Sequence, residues 1–343
     1  MTSPYTPSRI TSVKREAGRL TKVNQLFWEA GLISQAIVPL FERNQRIGRV
    51  HSVFRRAVNI VFDGTLITVT LPELGTMPNG IVVEGDRDFQ ALGIEVGMKV
   101  VLRGASSPPT PFSPTEGEGG LVFPDALLTI GLRHATRWSP RLSQIGPGKP
   151  SIKRRVNLDR AMALAAARAP HRGFGPLLAL LAPSGLSAAS ATIPPMCEYA
   201  YQKIVGVIRA IEQEDLAMAI EAAEMLIGLG DGLTPSGDDF LVGFGAAIAA
   251  VGQPLAARFL ECCAELARVR TTFVGAALLA HAARGEYTAR LKALLTTLLT
   301  GTERDVAEQI PIVLAWGSTS GADLLLGVLV GLVVGIRRPV EAL

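Results

Sequence analysis

The chain has 343 residues, of which 48% are hydrophobic and only 19% charged, with 34 basic residues against 30 acidic ones for a net charge of +4. That length suits two domains and a large core, and the low charge density excludes a disordered or heavily solvated chain. So small a basic excess, spread along the sequence, also argues against a nucleic-acid partner.

In chain order, residues 1–45 open polar and then follow a helical pattern from Val23 to Phe41, with Leu26, Phe27, Leu32, Ile37 and Leu40 apolar. An N-terminal helical extension is expected there. Nothing after Met1 has the apolar core of a secretory leader. From residue 46 to 150 the pattern changes to short strands. Ala57–Phe62, Asp63-Gly64 and Thr65–Thr70 read as a hairpin with a two-residue turn. Ile81–Val83, Lys99–Leu102 and Ala126–Ile130 continue the series, and Ser106–Gly120 is a Pro/Ser/Thr/Gly-rich loop. A β-rich domain is expected here.

After the turn-rich break Gly146–Pro150, residues 151–343 read as all helical. Expected helical stretches are 158–168, 199–227, 240–251, 255–284, 288–299, 306–316 and 323–336. The overall class is therefore α+β. The longest apolar run, 324–336, has 13 residues, short of the roughly 20 needed to span a bilayer. Lys153-Arg154-Arg155 is the only dense basic cluster, read as a solvated linker. Cys197, Cys262 and Cys263 lack metal-ligand spacing and read as buried thiols. His51, His134, His171 and His281 show no ligand spacing either. A cytoplasmic protein with no membrane partner is expected.

The most specific signal is a repeated phrase. Ser236-Gly237-Asp238-Asp239-Phe240-Leu241-Val242-Gly243 recurs 84 residues later as Ser320-Gly321-Ala322-Asp323-Leu324-Leu325-Leu326-Gly327. Each copy closes a polar, glycine-containing loop and opens an apolar helix, and such helix N-termini offer free N–H groups and partial positive charge to an anion. Gly230, Gly232, Thr234, Ser236, Gly237, Thr319, Ser320 and Gly321 are the candidate binding residues. Asp238, Asp239 and Asp323 are the candidate catalytic ones, with Asp238 and Asp239 also able to hold Mg²⁺ through oxygen. Asn79, in a Pro-Asn-Gly turn, is a further candidate. The competing reading is a pair of capping boxes, Ser236/Asp239 and Ser320/Asp323, that simply start two helices. Gly327, Gly331 and Gly335 put a glycine stripe on the last helix, read as close backbone contact in a core.

Gly228–Gly243, together with Gly317–Gly327, resembles a bacterial family typified by the AllH-type subunit of the oxamate carbamoyltransferase complex of allantoin degradation, a branch of purine catabolism. His51-Ser52-Val53-Phe54, Ala57-Val58-Asn59, Pro78-Asn79-Gly80 and Trp138-Ser139-Pro140 are similar to its N-terminal and middle patterns. The likeness runs over about residues 45 to 336. It implies a carbamoyltransferase subunit acting with companion chains on a small anionic substrate such as carbamoyl phosphate or oxamate, in the reaction of oxalurate and phosphate to oxamate and carbamoyl phosphate. The alternative is a non-catalytic scaffold or regulatory subunit that binds a small anion or partner chains.

Overall fold

The computed structural model describes residues 8–16, 19–42, 45–104, 119–142, 151–181 and 193–336, with side chains from residue 25 onward. The chain divides into two compact units, 1–140 and 141–343, and its class is α+β.

In the first unit, β1 (Ser8–Glu16) pairs antiparallel with the long β2 (Arg19–Ser34). The region read as helical, Val23 to Phe41, is thus corrected: it is strand as far as Ser34, and the only helix in it is the short α1 (Val38–Phe41). Strand neighbours decided this, because β2 pairs on both sides and buries Trp28, Ala30 and Ile33 at two-residue intervals or close to it. The remaining strands are β3 (Arg46–Val53), β4 (Ala57–Phe62), β5 (Thr65–Thr70), β6 (Gly80–Val83), β7 (Lys99–Arg103), β8 (Gly120–Phe123), β9 (Leu128–Gly131) and β10 (Thr136–Trp138). Eight of them close a ring in the order β2-β6-β5-β4-β3-β7-β8-β9, which returns to β2 through a parallel β2–β9 pairing. Closure removes the unpaired edges that an open sheet would expose. β10 adds to β2 outside the ring. The expected hairpin is β4–β5, from Ala57↔Thr70 to Phe62↔Thr65. Asp63 and Gly64 both take positive φ, 47° and 76°, which a two-residue turn matched to strand twist requires. Ile60, Phe62, Ile67, Ile81, Leu102 and Phe123 fill the core.

Most of the loop expected at Ser106–Gly120 and the break at Gly146–Pro150 lie outside the described residues; Gly120 itself opens β8. In the second unit the helices are α2 (Ile152–Ala167), α3 (Gly175–Leu178), α4 (Pro195–Glu212), α5 (Leu216–Glu224), α6 (Ser236–Ala250), α7 (Ala256–Arg270), α8 (Phe273–Ala283), α9 (Ala289–Thr300), α10 (Glu303–Leu314) and α11 (Ser320–Ile336). Two stretches expected to be continuous are split. Glu214 at φ 59° and the Asp215 cap, which accepts from Met218 N at 3.0 Å, separate α4 from α5. Extended Thr271 and the Thr272 cap on Gly275 N, at 2.9 Å, separate α7 from α8. Such polar side chains restart a helix by supplying its orphan amides.

Lys153 donates to Thr300 O at 2.9 Å and Arg154 to Leu299 O at 3.2 Å. Two members of the basic cluster therefore bind the C-terminal carbonyls of α9, where a cation is favoured by the helix dipole. Among the described residues no helix is long and apolar enough to cross a membrane.

At the centre, α6 and α11 cross. A Cβ on Gly243 would overlap the Leu324 carbonyl oxygen, and one on Gly327 would overlap the Phe240 carbonyl oxygen. The two contacts are equivalent under the 84-residue repeat, so the helices cross about a local pseudo-twofold. The cost of glycine inside each helix, up to about 1 kcal/mol relative to alanine, is offset by this close backbone packing. Gly331 continues the seam against Ala247 and Phe244.

Candidate functional site: two crossed helix starts

Because the crossing lies near the N-terminal ends of α6 and α11, the two Ser-Gly-x-Asp turns meet. Thr234 Oγ1 and Ser320 Oγ are 3.0 Å apart, joining the first loop to the second helix. The serines do not cap their own helices. The N-cap of α6 is Pro235, which makes no side-chain cap, so Ser236 is the first helical residue. Its hydroxyl lies beside Asp323 of the other helix and opposes the rise of that carboxyl's pKa, while the hydroxyls of Ser320 and Thr234 do the same for Asp239. The capping-box reading is therefore corrected to a reciprocal exchange, each serine serving the opposite aspartate. Elsewhere in the unit Thr272, Thr288 and Thr302 do cap their helices, Thr302 with Asp305 in a full capping box. The contrast marks the crossed pair as a different device.

Asp239 and Asp323 are buried, and one oxygen of each, Oδ2, is enclosed without a hydrogen-bond partner. Burial pushes Asp239 well above the ordinary aspartate range, against the opposing pull of Ser320, and the nearby charges of Asp323 and Asp238 add to the rise. Burial raises Asp323 too, against the Ser236 hydroxyl, the Phe174 amide and the Thr319 hydroxyl.

Asp238 behaves differently. Its Oδ1 accepts from Gly228 N at 2.9 Å and its Oδ2 from the Thr271 hydroxyl. Burial raises it, and these two donors pull it back. Both oxygens are thus engaged in tying the glycine-rich loop and the α7–α8 junction to the start of α6. Neither Asp238 oxygen is therefore left free to serve as an oxygen ligand for Mg²⁺. Among the described residues, no group of three or more His, Cys, Asp or Glu side chains is placed to hold a metal.

Around the buried carboxyls the rim is open. Gly230, Thr234, Thr319 and Ser320 are half-buried, while Asp231, Gly232, Gly317 and Ser318 are exposed. Gly230 adopts φ 116° and packs against Ser236, where a Cβ would come within 2.8 Å of its amide nitrogen. Gly237 and Gly321 lie against the carbonyls of Leu226 and Val313, seating each helix start on the end of the preceding helical segment. Asn79 belongs to the other unit. There it is buried between β5 and β6, donating to Leu66 O and Thr68 Oγ1, both at 3.2 Å, in a polar row that runs on through Asn59 to Ser52.

One segment carried no sequence signal strong enough to single it out. Phe174 N donates to Asp323 Oδ1 at 2.6 Å, and Gly173, at φ 57°, leaves room for that carboxyl, since a Cβ there would lie 2.6 Å from Oδ1. His171 and Arg172 are exposed beside it. The sequence offers only a His-Arg-Gly turn 146 residues before Thr319, without repetition to mark it. Beneath the site, Cys197 donates to Gly173 O at 3.2 Å, and its thiol is pushed up by burial and by Asp323.

Comparisons with known proteins agree with these two halves. A family model described as oxamate carbamoyltransferase subunit AllH matches residues 226–332, the stretch carrying both crossed turns. One described as the AllH family N-terminal domain matches residues 29–110, which begins within β2. The likeness therefore starts earlier than residue 45. No curated protein and no solved structure gives a match. Two models of one family account for more than half of the sequence and for the repeated turns themselves, and the chain belongs to the AllH family.

Proposed function

We propose that the chain is a subunit of a carbamoyltransferase-type complex and that the crossed turns are its site for the carbamoyl-bearing substrate, carbamoyl phosphate or oxamate. The observation that carries this reading is the pair of buried, unpartnered carboxyl oxygens at the meeting of two helix N-termini. An enclosed polar atom without a partner costs about 1–3 kcal/mol, and native proteins leave few of them. A ligand that carries N–H and C=O groups on one edge supplies what both oxygens lack. The α6 and α11 dipoles favour negative charge developing on the same ligand.

The scaffold reading accounts for the crossing equally well but gives no use to the orphaned oxygens. Calorimetry separates the two readings. The full chain, alone and assembled with its companion subunits, is titrated with carbamoyl phosphate and with oxamate. Heat that disappears in Asp239→Ala and Asp323→Ala variants, with unchanged far-UV dichroism, supports the substrate site. No heat from either compound in the assembled complex hands the case to the scaffold.

A further inference from the structure

In the first unit the buried polar row that starts at Asn79 ends at a histidine. We propose that this row holds His51 as the tautomer with its hydrogen on Nε2, where it donates to an oxygen of a small carboxylate ligand. The proposal does not rest on the crossed turns.

The register of β3 and β4 places the histidine. Val50 pairs with Ile60 and Ser52 with Asn59, so β3 takes two residues where β4 takes one, and His51 is the extra residue of a β-bulge. Bulges re-aim side chains and are over-represented beside functional sites. Val50, Val58, Ile60 and Ile67 belong to the core. Asn59 alternates with Val58 and Ile60, so it points away from that core, and its pairing partner Thr68 joins it there. The bulge turns Ser52 to the same face. His51 Nδ1 and Ser52 Oγ lie 3.3 Å apart, although successive side chains of a regular strand point to opposite faces.

The direction of the row is fixed at its far end. The Leu66 carbonyl can only accept, so the Asn79 amide turns its NH₂ group towards it, at 3.2 Å. The same NH₂ donates to Thr68 Oγ1, also at 3.2 Å. The Thr68 hydroxyl then passes its own hydrogen to Asn59 Oδ1 at 2.7 Å. That leaves the Asn59 NH₂ group to donate to Ser52 Oγ at 2.9 Å. Ser52 is buried, and among the described residues the acceptor that remains for its hydroxyl is His51 Nδ1. Nδ1 therefore accepts, and the neutral ring carries its hydrogen on Nε2. This polarity leaves Asn79 Oδ1 enclosed without a partner. An orphaned acceptor costs stability, and apolar side chains would build the same wall without one. What the row adds is a ring held in one orientation.

The surroundings indicate the ligand class. His51 is half-buried, and the turn after β3 carries Arg55 and Arg56, both exposed. Arg55 pairs with Asp88 at 3.4 Å, so Arg56 leaves a positive excess close to the end of the strand. A fixed N–H donor beside positive charge suits a carboxylate oxygen. With hydrogen on Nε2, the ring offers no lone pair there to a metal.

Histidine nitrogen NMR of the full chain tests the tautomer, with oxalate as the carboxylate probe. At mildly alkaline pH the His51 signal, identified by its absence in His51→Gln, should report hydrogen on Nε2. It should shift saturably with oxalate and stay in place with sodium chloride of equal ionic strength. Ser52→Ala removes the donor to Nδ1. That variant should return the ring to a mixture of tautomers and weaken oxalate binding about three- to tenfold, at unchanged far-UV dichroism. Hydrogen on Nδ1 in the wild type would overturn the proposal. So would a signal that ignores oxalate or follows chloride equally, or unchanged oxalate affinity in folded Ser52→Ala. Should that variant fail to fold, the wild-type tautomer and the comparison of oxalate with chloride decide the question.

Discussion

The first and second turns start from nearly the same eight residues and end in different chemistry. At the third helical position the first copy has Asp238 and the second has Ala322. Asp238 reaches outward to Gly228 and Thr271 and anchors a long glycine-rich loop. The second copy has a shorter lead-in through Trp316 and Gly317 and no such anchor, and its Asp323 is served instead by Phe174 from a distant segment. A duplicated phrase thus fixed the helix crossing and the serine exchange, whereas the neighbours brought in by the fold decided what each carboxyl can do. Repetition made the scaffold symmetric, and its surroundings made the two carboxyls unlike.

The symmetric half of this comparison is the easiest to break. Gly243→Ala and Gly327→Ala each drive a Cβ into a backbone carbonyl of the opposite helix, which has no rotamer by which to yield. Each should lose about 3 kcal/mol in denaturant unfolding, the upper part of the range for overpacking. Near-equal losses sharpen the pseudo-twofold; a loss at one glycine alone breaks it.

The asymmetric half predicts a smaller effect. Asp238→Ala leaves the Gly228 amide without its acceptor and should cost about 2 kcal/mol. Because both Asp238 oxygens are already engaged by Gly228 and Thr271, the folded variant should still give heat with oxamate. A variant as stable as wild type that no longer binds oxamate would move Asp238 back into the site.

The smallest effect is a pH dependence. Asp239 holds its proton more tightly folded than unfolded, so the folded state carries more protons once pH passes the ordinary aspartate value, about 3.9. Its contribution is fully present below that value and is lost as pH rises through the folded pKa. Asp239→Asn removes that loss. The stability difference between wild type and variant, followed by denaturant titration from about pH 4 to neutrality, should therefore shift in favour of the variant as pH rises. A flat difference would show that folding leaves the Asp239 pKa where it is in the unfolded chain.

How much was legible beforehand differs between the units. The hairpin around Asp63-Gly64 was readable because turn chemistry and strand length are local. The strand at Arg19–Ser34 was not, since its apolar residues also fit a helical wheel and only pairing with β6 and β9 decided between the two periods. In the helical unit, the helix starts at Ser236 and Ser320 were close to their true places, but the role of the serines was not, because a cap and a cross-helix bond require the same residue.

Neighbouring residues alone were enough for the α+β class, for the family membership carried by the repeated phrase, and for the glycine stripe that lets α11 pack closely. Each of these is written locally, through periodicity, backbone freedom or direct repetition. Folding in three dimensions was needed to turn Asp238 away, to bring Phe174 to Asp323, and to leave two oxygens without partners. Those outcomes depend on contacts across as many as 149 residues of chain, where direction and distance come from packing and leave no mark in local spacing.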